Sequence, residues 1–154
     1  MKKDIICPRK NEVDEFMYLN GALLRNGLYK IGLYVGQPVI LDVISKNPGL
    51  TQKTLADLGG IKPSTINVML TRMAKNELVE IKRDEKNSKL SRVYITEKGK
   101  NLCAKALEYK ENIQEKQFNN FTEAEVEAFK ELLNRINQNL QSILDEEENL
   151  NENN

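Results

Sequence analysis

Histidine is absent from this chain, and its 154 residues include only two cysteines, Cys7 and Cys103. Without imidazole the commonest general acid–base group is missing, and two thiols nearly a hundred residues apart make a poor zinc set. The pair is also too sparse for a disulfide scaffold, so both read as reduced, intracellular thiols. No glycine-rich phosphate loop or nucleophile motif occurs, and the carboxylates fall mainly on solvated helix faces. An enzyme is therefore not expected, and no metal or cofactor is implied. No apolar run approaches the length of a membrane span. The opening MKKDIICPRKNEVDE lacks the apolar core and small-residue cleavage site of a secretory signal. A cytoplasmic protein with no membrane partner is the expectation.

Net charge is missing too, with 23 Lys/Arg balanced by 23 Asp/Glu. That balance argues against indiscriminate coating of a polyanion, but not against a local footprint. Lys62 to Arg92 holds eight Lys/Arg and four acids, while Thr122 to Asn154 holds two Lys/Arg and nine acids. One part of the chain suits a polyanion and the other does not.

The basic part lies within Thr51–Thr96, TQKTLADLGGIKPSTINVMLTRMAKNELVEIKRDEKNSKLSRVYIT, which reads as two short helices and a two-stranded hairpin. Leu55 and Leu58 give the first helix its apolar spacing, Thr51 supplies an N-cap, and Gly59-Gly60 stops it. Ile66, Met69, Leu70 and Met73 recur at helical spacing in the second, with Pro63 in its first turn. The face left over carries Ser64, Thr65, Asn67, Thr71 and Arg72, groups able to meet phosphates and base edges in a major groove. Val79 and Ile81, then Val93 and Ile95, alternate as in strands covered on one face. Between them KRDEKNSKLSR forms a cationic loop able to reach an adjacent backbone or minor groove.

Ahead of this segment, Met1 to Asn11 reads as a loose arm around Pro8. Cys7 lies in it beside Arg9 and Lys10, which could lower its pKa, although an inert thiol is the plainer reading. Glu12 to Tyr34 shows a wide helical stripe through Val13, Phe16, Met17, Leu23, Leu24 and Leu28. Tyr18, Tyr29 and Tyr34 on it suit either a ligand cavity or ordinary interface packing. PVILDVI could be strand or buried helix; Pro38 at its start and KNPG at its end favour helix. Behind the hairpin, Thr96 can cap a helix with the stripe Leu102, Ala106, Tyr109, Ile113 and Phe118, where Cys103 reads as packing. Phe121 and Thr122–Glu125 then form a capping box ahead of Val126, Phe129, Leu132, Leu133, Ile136, Leu140, Ile143 and Leu144. DEEENLNENN reads as a frayed acidic tail. Such long apolar stripes exceed what a small middle domain can cover, which points to a second copy of the chain.

GQPVILDVISKNPGLTQKTLADLGGIKPSTINVMLTRMAKNELVEIKR, the hairpin and YITEKG together resemble the multiple-antibiotic-resistance regulator (MarR) family of winged-helix transcription factors. The resemblance extends over nearly the whole chain. It implies a mostly α fold with a small β-hairpin wing, the winged helix-turn-helix lying between N- and C-terminal dimerisation helices. Residues 1–34 would be the arm and first dimerisation helix, 35–96 the DNA-binding domain, 97–148 the closing dimerisation helices and 149–154 an acidic flexible tail. It further implies a homodimeric, ligand-responsive repressor on a double-stranded DNA operator of pseudo-palindromic sequence.

On that resemblance the helix near Pro63–Lys75 is the recognition helix. Lys62, Pro63, Ser64, Thr65, Asn67, Val68, Thr71, Arg72 and Lys75 are its DNA-facing candidates, joined by Arg83, Asn87, Lys89 and Arg92 of the wing. Many relatives carry Asp-x-Arg where this chain has Asn87 and Lys89. Lysine lacks the planar fork, so minor-groove shape readout should be weaker, with Arg92 a partial substitute. Peroxide-sensing relatives use a cysteine in the first helix, a position Cys7 does not match. Others bind small aromatic acids between the dimerisation helices and the winged domain, which makes Tyr18, Tyr29 and Tyr34 candidates for a small aromatic or amphipathic effector. The competing readings are a winged-helix module for protein contact and a non-specific architectural DNA-binding protein.

Overall fold

A computed structural model describes residues 11–88 and 90–152 of the chain. Cys7 and most of its arm, Lys89 and the last two residues lie outside the described part. The fold divides into two compact units, Met1–Ile113 and Gln114–Asn154.

The first unit begins with α1 (Glu12–Lys30). Asn11 caps it by accepting the Asp14 amide at 2.9 Å, and three acids in the first turn face its positive end. The helix stops at Lys30, short of the Tyr34 expected from the apolar stripe. Gly32 turns the chain at φ +81°, and the Leu33 amide folds back to the Leu28 carbonyl at 2.9 Å. PVILDVI is helical: α2 spans Gln37–Lys46 with Pro38 in its first turn, and Ile40, Leu41 and Ile44 are buried.

Leu50–Thr51 forms β1, and Thr51 doubles as the N-cap of α3 (Gln52–Gly59), its Oγ1 accepting the Thr54 amide at 3.2 Å. Leu55 and Ala56 face the core, whereas Leu58 is 62% exposed. Helical spacing alone had placed Leu58 inward. The neighbouring α2 and α4 cover only the narrow stripe carrying Leu55. α4 (Pro63–Lys75) follows and buries Ile66, Leu70 and Met73.

β2 (Val79–Arg83) and β3 (Ser91–Ile95) pair antiparallel with Val79 opposite Ile95 and Ile81 opposite Val93. The sheet has three strands in the order β1-β3-β2, because Leu50 pairs with Val93 and Thr51 with Arg92. This corrects the two-stranded expectation; a two-residue strand leaves no alternation to detect. Val79 and Val93 are buried, but Ile81 is 37% exposed. It lies on their pleat directly opposite Val93, but on the edge strand β2, whereas Val93 on the central strand is covered from both sides.

α5 (Glu97–Lys116) is capped by Thr96, whose Oγ1 accepts the Gly99 amide at 3.0 Å and donates to the Glu77 carbonyl at 2.7 Å. Cys103 is buried beside the Pro38 carbonyl, its Sγ at 3.7 Å, which agrees with a packing role. Tyr109 seats its ring where a side chain on Gly27 would stand, and its hydroxyl donates to the Leu23 carbonyl at 3.2 Å. Leu33, Ile40, Leu41, Ile44, Leu55, Ile66, Leu70, Met73, Leu78 and Val93 make one core under the helix pair and sheet. Each such buried aliphatic side chain contributes about 1.5–3 kcal/mol.

The second unit is dominated by α6 (Glu123–Glu152). Its expected capping box is formed: Thr122 Oγ1 accepts the Glu125 amide at 3.3 Å, and Glu125 Oε2 accepts the Thr122 amide at 2.8 Å. The Thr122 amide, together with its hydroxyl, which also donates to Glu125 Oε2 at 2.8 Å, holds the Glu125 carboxyl below its usual value. Phe118 meets Phe121 and Phe129 edge to face, with centroids 5.8 and 5.5 Å away. The helix continues through Glu152, beyond the point where the acidic composition suggested fraying.

Candidate nucleic-acid interface

Core packing decides which face of α4 meets solvent. With Ile66, Leu70 and Met73 turned inward, Ser64, Thr65, Asn67, Val68, Thr71, Arg72 and Lys75 are all exposed, as are Lys62 and Pro63 at its start. Lys62 occupies the N-cap with no side-chain capping bond, so the helix presents its positive end to solvent. The structure thus brings the nine sequence-selected positions onto one helix and its leading turn. Thr71 is partly committed: its hydroxyl donates to the Asn67 carbonyl at 2.9 Å, leaving oxygen lone pairs to face outward. Val68 offers an apolar patch of the kind that packs on a thymine methyl group.

A hollow of about 390 Å³ opens beside this helix, where Tyr34 and Val35 of the α1–α2 connection and Gln37 at the start of α2 face Ser64, Thr65, Val68, Met69 and Arg72. Gln37 is buried, and its Oε1 accepts the Tyr34 amide at 2.8 Å, fixing the bend that forms the wall. Of the three candidate tyrosines Tyr34 lines the hollow, and Tyr29 backs it with an edge-on contact at 5.4 Å. Tyr18 stands elsewhere on α1.

The wing is ordered by an acid that no sequence motif marks. Asp84 Oδ1 accepts the amides of Lys86 and Asn87, each at 2.8 Å, and Oδ2 accepts Arg92 Nε. The guanidinium hydrogen bond, followed by the two amides, holds the Asp84 carboxyl below the usual carboxylate range. Arg92 Nη1 also donates to the Gly49 carbonyl at 2.8 Å. Arg92 is therefore bonded within the protein, while Arg83 at the end of β2 is exposed. Lys82 pairs with Glu80 at 2.7 Å and lies over the Tyr94 ring. Asn87 contributes its amide to the Asp84 turn, and Lys89 lies outside the described residues. Asp84, Gly49 and Gln37 are not legible in the sequence. Their roles depend on strand register and a chain bend, and the nearest signal is an Asp in a loop of cations.

Helix pair, three-stranded wing and exposed polar helix face define a class, the winged helix-turn-helix DNA-binding proteins. Residues 31–89 match the profile of the MarR family. An HTH-type transcriptional regulator of Bacillus subtilis (strain 168), YybA, itself uncharacterised, is 28% identical over 106 residues, covering 69% of this chain and 71% of that protein. The YusO protein of Bacillus subtilis superposes with a TM-score of 0.73 at 17% identity, over 82% of this chain and 89% of that one. A Listeria monocytogenes protein complexed with a 26-mer DNA superposes at 0.63 with 25% identity, over 85% and 89%. Over residues 31–89 the chain is similar to the MarR family, and its fold is that of a winged helix-turn-helix protein. Among the described residues no cluster of His, Cys, Asp and Glu is arranged to hold a metal, and no helix is long and apolar enough to cross a membrane.

Proposed function

We propose that the protein represses transcription by binding a pseudo-palindromic operator as a homodimer, and that a small aromatic or amphipathic effector releases it. The observation that carries the reading is the exposed face of α4, with Ser64, Thr65, Asn67 and Arg72 beside an uncapped helix start. Backbone amides and hydroxyls position phosphates, while Asn67 and Arg72 have the paired donors and acceptors that read base edges. In this reading residues 35–96 bind DNA, 1–34 and 97–148 dimerise, and 149–154 end the chain in acid. Support for a second copy comes from apolar side chains left half exposed or more, among them Met17 and Leu23 on α1 and Ile136 and Leu140 on α6. Selection of bound sequences from random duplexes tests the function. Two inverted half-sites about 34–36 Å apart, or a multiple of that, are expected. Failure to enrich any sequence would leave non-specific DNA binding or protein contact as the function.

The hollow against α4 supports the effector part of the proposal. An aromatic carboxylate seated beside Tyr34 and Arg72 would cover groups that DNA needs, so the two ligands should compete. Benzoate titrated against a fluorescent operator should displace the protein, and Tyr34→Ala should blunt that displacement. Release of wild type and Tyr34→Ala at the same benzoate concentration would remove the hollow from consideration.

A further inference from the structure

Asp84 directly follows β2 and is only 8% exposed, an unusual position for an acid in a basic loop. Its oxygens divide their work. Oδ1 gathers the amides of Lys86 and Asn87 and folds the loop into a turn, while Oδ2 takes the Nε proton of Arg92 on β3 in a hydrogen bond. The same guanidinium reaches the Gly49 carbonyl ahead of β1. Gly49 in turn donates its amide to the Val93 carbonyl at 2.9 Å, so the anchor belongs to the sheet. One run of charge-assisted bonds therefore connects the wing turn, the central strand and the connection leading into α3. The planar fork of arginine can hold both ends at once, which a lysine ammonium cannot do with the same geometry.

We propose that Asp84 and Arg92 form a strut that sets the wing against the helix-turn-helix, and that Arg92 is a positioning residue whose charge stays out of the DNA groove. The wing cations left to face DNA then include Arg83 and Lys86, both exposed. This inference rests on the DNA-binding reading above.

The sign of one substitution separates the strut from simple electrostatics. Deleting an anion beside a polyanion should tighten binding, whereas deleting a strut should weaken it. The experiment is a salt titration of Asp84→Asn, Arg92→Gln, Arg92→Lys and the double variant Asp84→Asn/Arg92→Gln. Each is measured on a duplex recovered by selection and on its scrambled counterpart. Asp84→Asn should bind the selected duplex about three- to tenfold more weakly despite losing a negative charge. Arg92→Gln and Arg92→Lys should lose a similar factor with the salt slope unchanged, and the double variant should be no weaker than either single one. In the free wild-type protein, the Lys86 and Asn87 amides should exchange slowly with solvent, which reads the strut without DNA. Tighter binding by Asp84→Asn overturns the proposal. So does a salt slope that falls by about one per subunit in Arg92→Gln, which would make Arg92 a phosphate contact. Fast exchange at both amides overturns it even if a variant fails to fold. Wild-type protein that retains neither duplex fails the DNA-binding reading as well, while reversal of the Asp84→Asn sign fails this one alone.

Discussion

Asp84 and Cys103 show how a residue acquires a role from its surroundings. Arg92 and two amides stabilise the Asp84 carboxylate, so its folded pKa lies below its unfolded one. The stabilisation is complete above the unfolded value of about 3.9 and is lost as pH falls through the lower folded value. Lys86 and Asn87 amide protection should then be unaffected by this titration at neutral pH and decline only in acid, and Asp84→Asn should abolish that acid step. Exchange measured across the series checks this, and a loss of protection near neutrality would contradict it. Cys103 shifts the opposite way: burial, aided by the nearby Asp42 charge, pushes its thiol up and leaves less thiolate at neutral pH. In a Cys7→Ser variant Cys103 should resist a thiol reagent until denaturant is added. Rapid stoichiometric labelling of the native protein would show that the site opens.

Among the elements, α4 and the wing carry different parts of the proposed DNA interface. Arg72 projects from the α4 face left free by the core, so Arg72→Ala should cost about 1–3 kcal/mol of specific affinity for each base that the arginine reads. It should also narrow the gap between a selected and a scrambled duplex; equal weakening on the two would remove its base-reading role. The wing also depends on how tightly its base joins α5. A Cβ on Gly99 would stand 2.1 Å from the Leu78 carbonyl oxygen and 2.9 Å from Ile95 Cγ1, so helix and sheet would have to separate. Gly99→Ala should destabilise the fold by about 1–3 kcal/mol, as overpacking does, seen as a lower denaturant midpoint. An unchanged midpoint would mean that the junction yields freely.

At the scale of the molecule, α6 presents Phe129, Leu133, Ile136, Leu140 and Ile143 at alternating three- and four-residue steps, and all are exposed within the chain. That spacing forms the narrow seam used when helices pack closely side by side. Placing a charge on it, as Ile136→Glu with Leu140→Glu, should shift the protein to monomer in sedimentation at micromolar concentration. Operator affinity should fall with it, because two half-sites bound by one dimer share a single loss of translational freedom. A persistent dimer would place the interface elsewhere.

What the sequence determined by itself was local: caps at Thr51, Thr96 and Thr122, stops at Gly59-Gly60, and the helical spacing of Ile66, Leu70 and Met73. Each rests on bonds or packing within a few residues, so chain order is enough to write it down. The family resemblance added the arrangement of the parts, and recognition helix and wing followed from it. Tertiary structure decided the rest. The α1 stripe ran on past Lys30 in pattern, but Gly32 and the Leu33-to-Leu28 bond turned the chain and carried Tyr34 against α4. Leu58 had inward spacing and no neighbour to cover it. Asp84, Arg92 and Gly49 are separated by as many as 43 residues, and only the β1-β3-β2 register makes them neighbours. A charge in a loop reads as solvated until its partner arrives from another strand, and pairing across strands is a property of the folded chain.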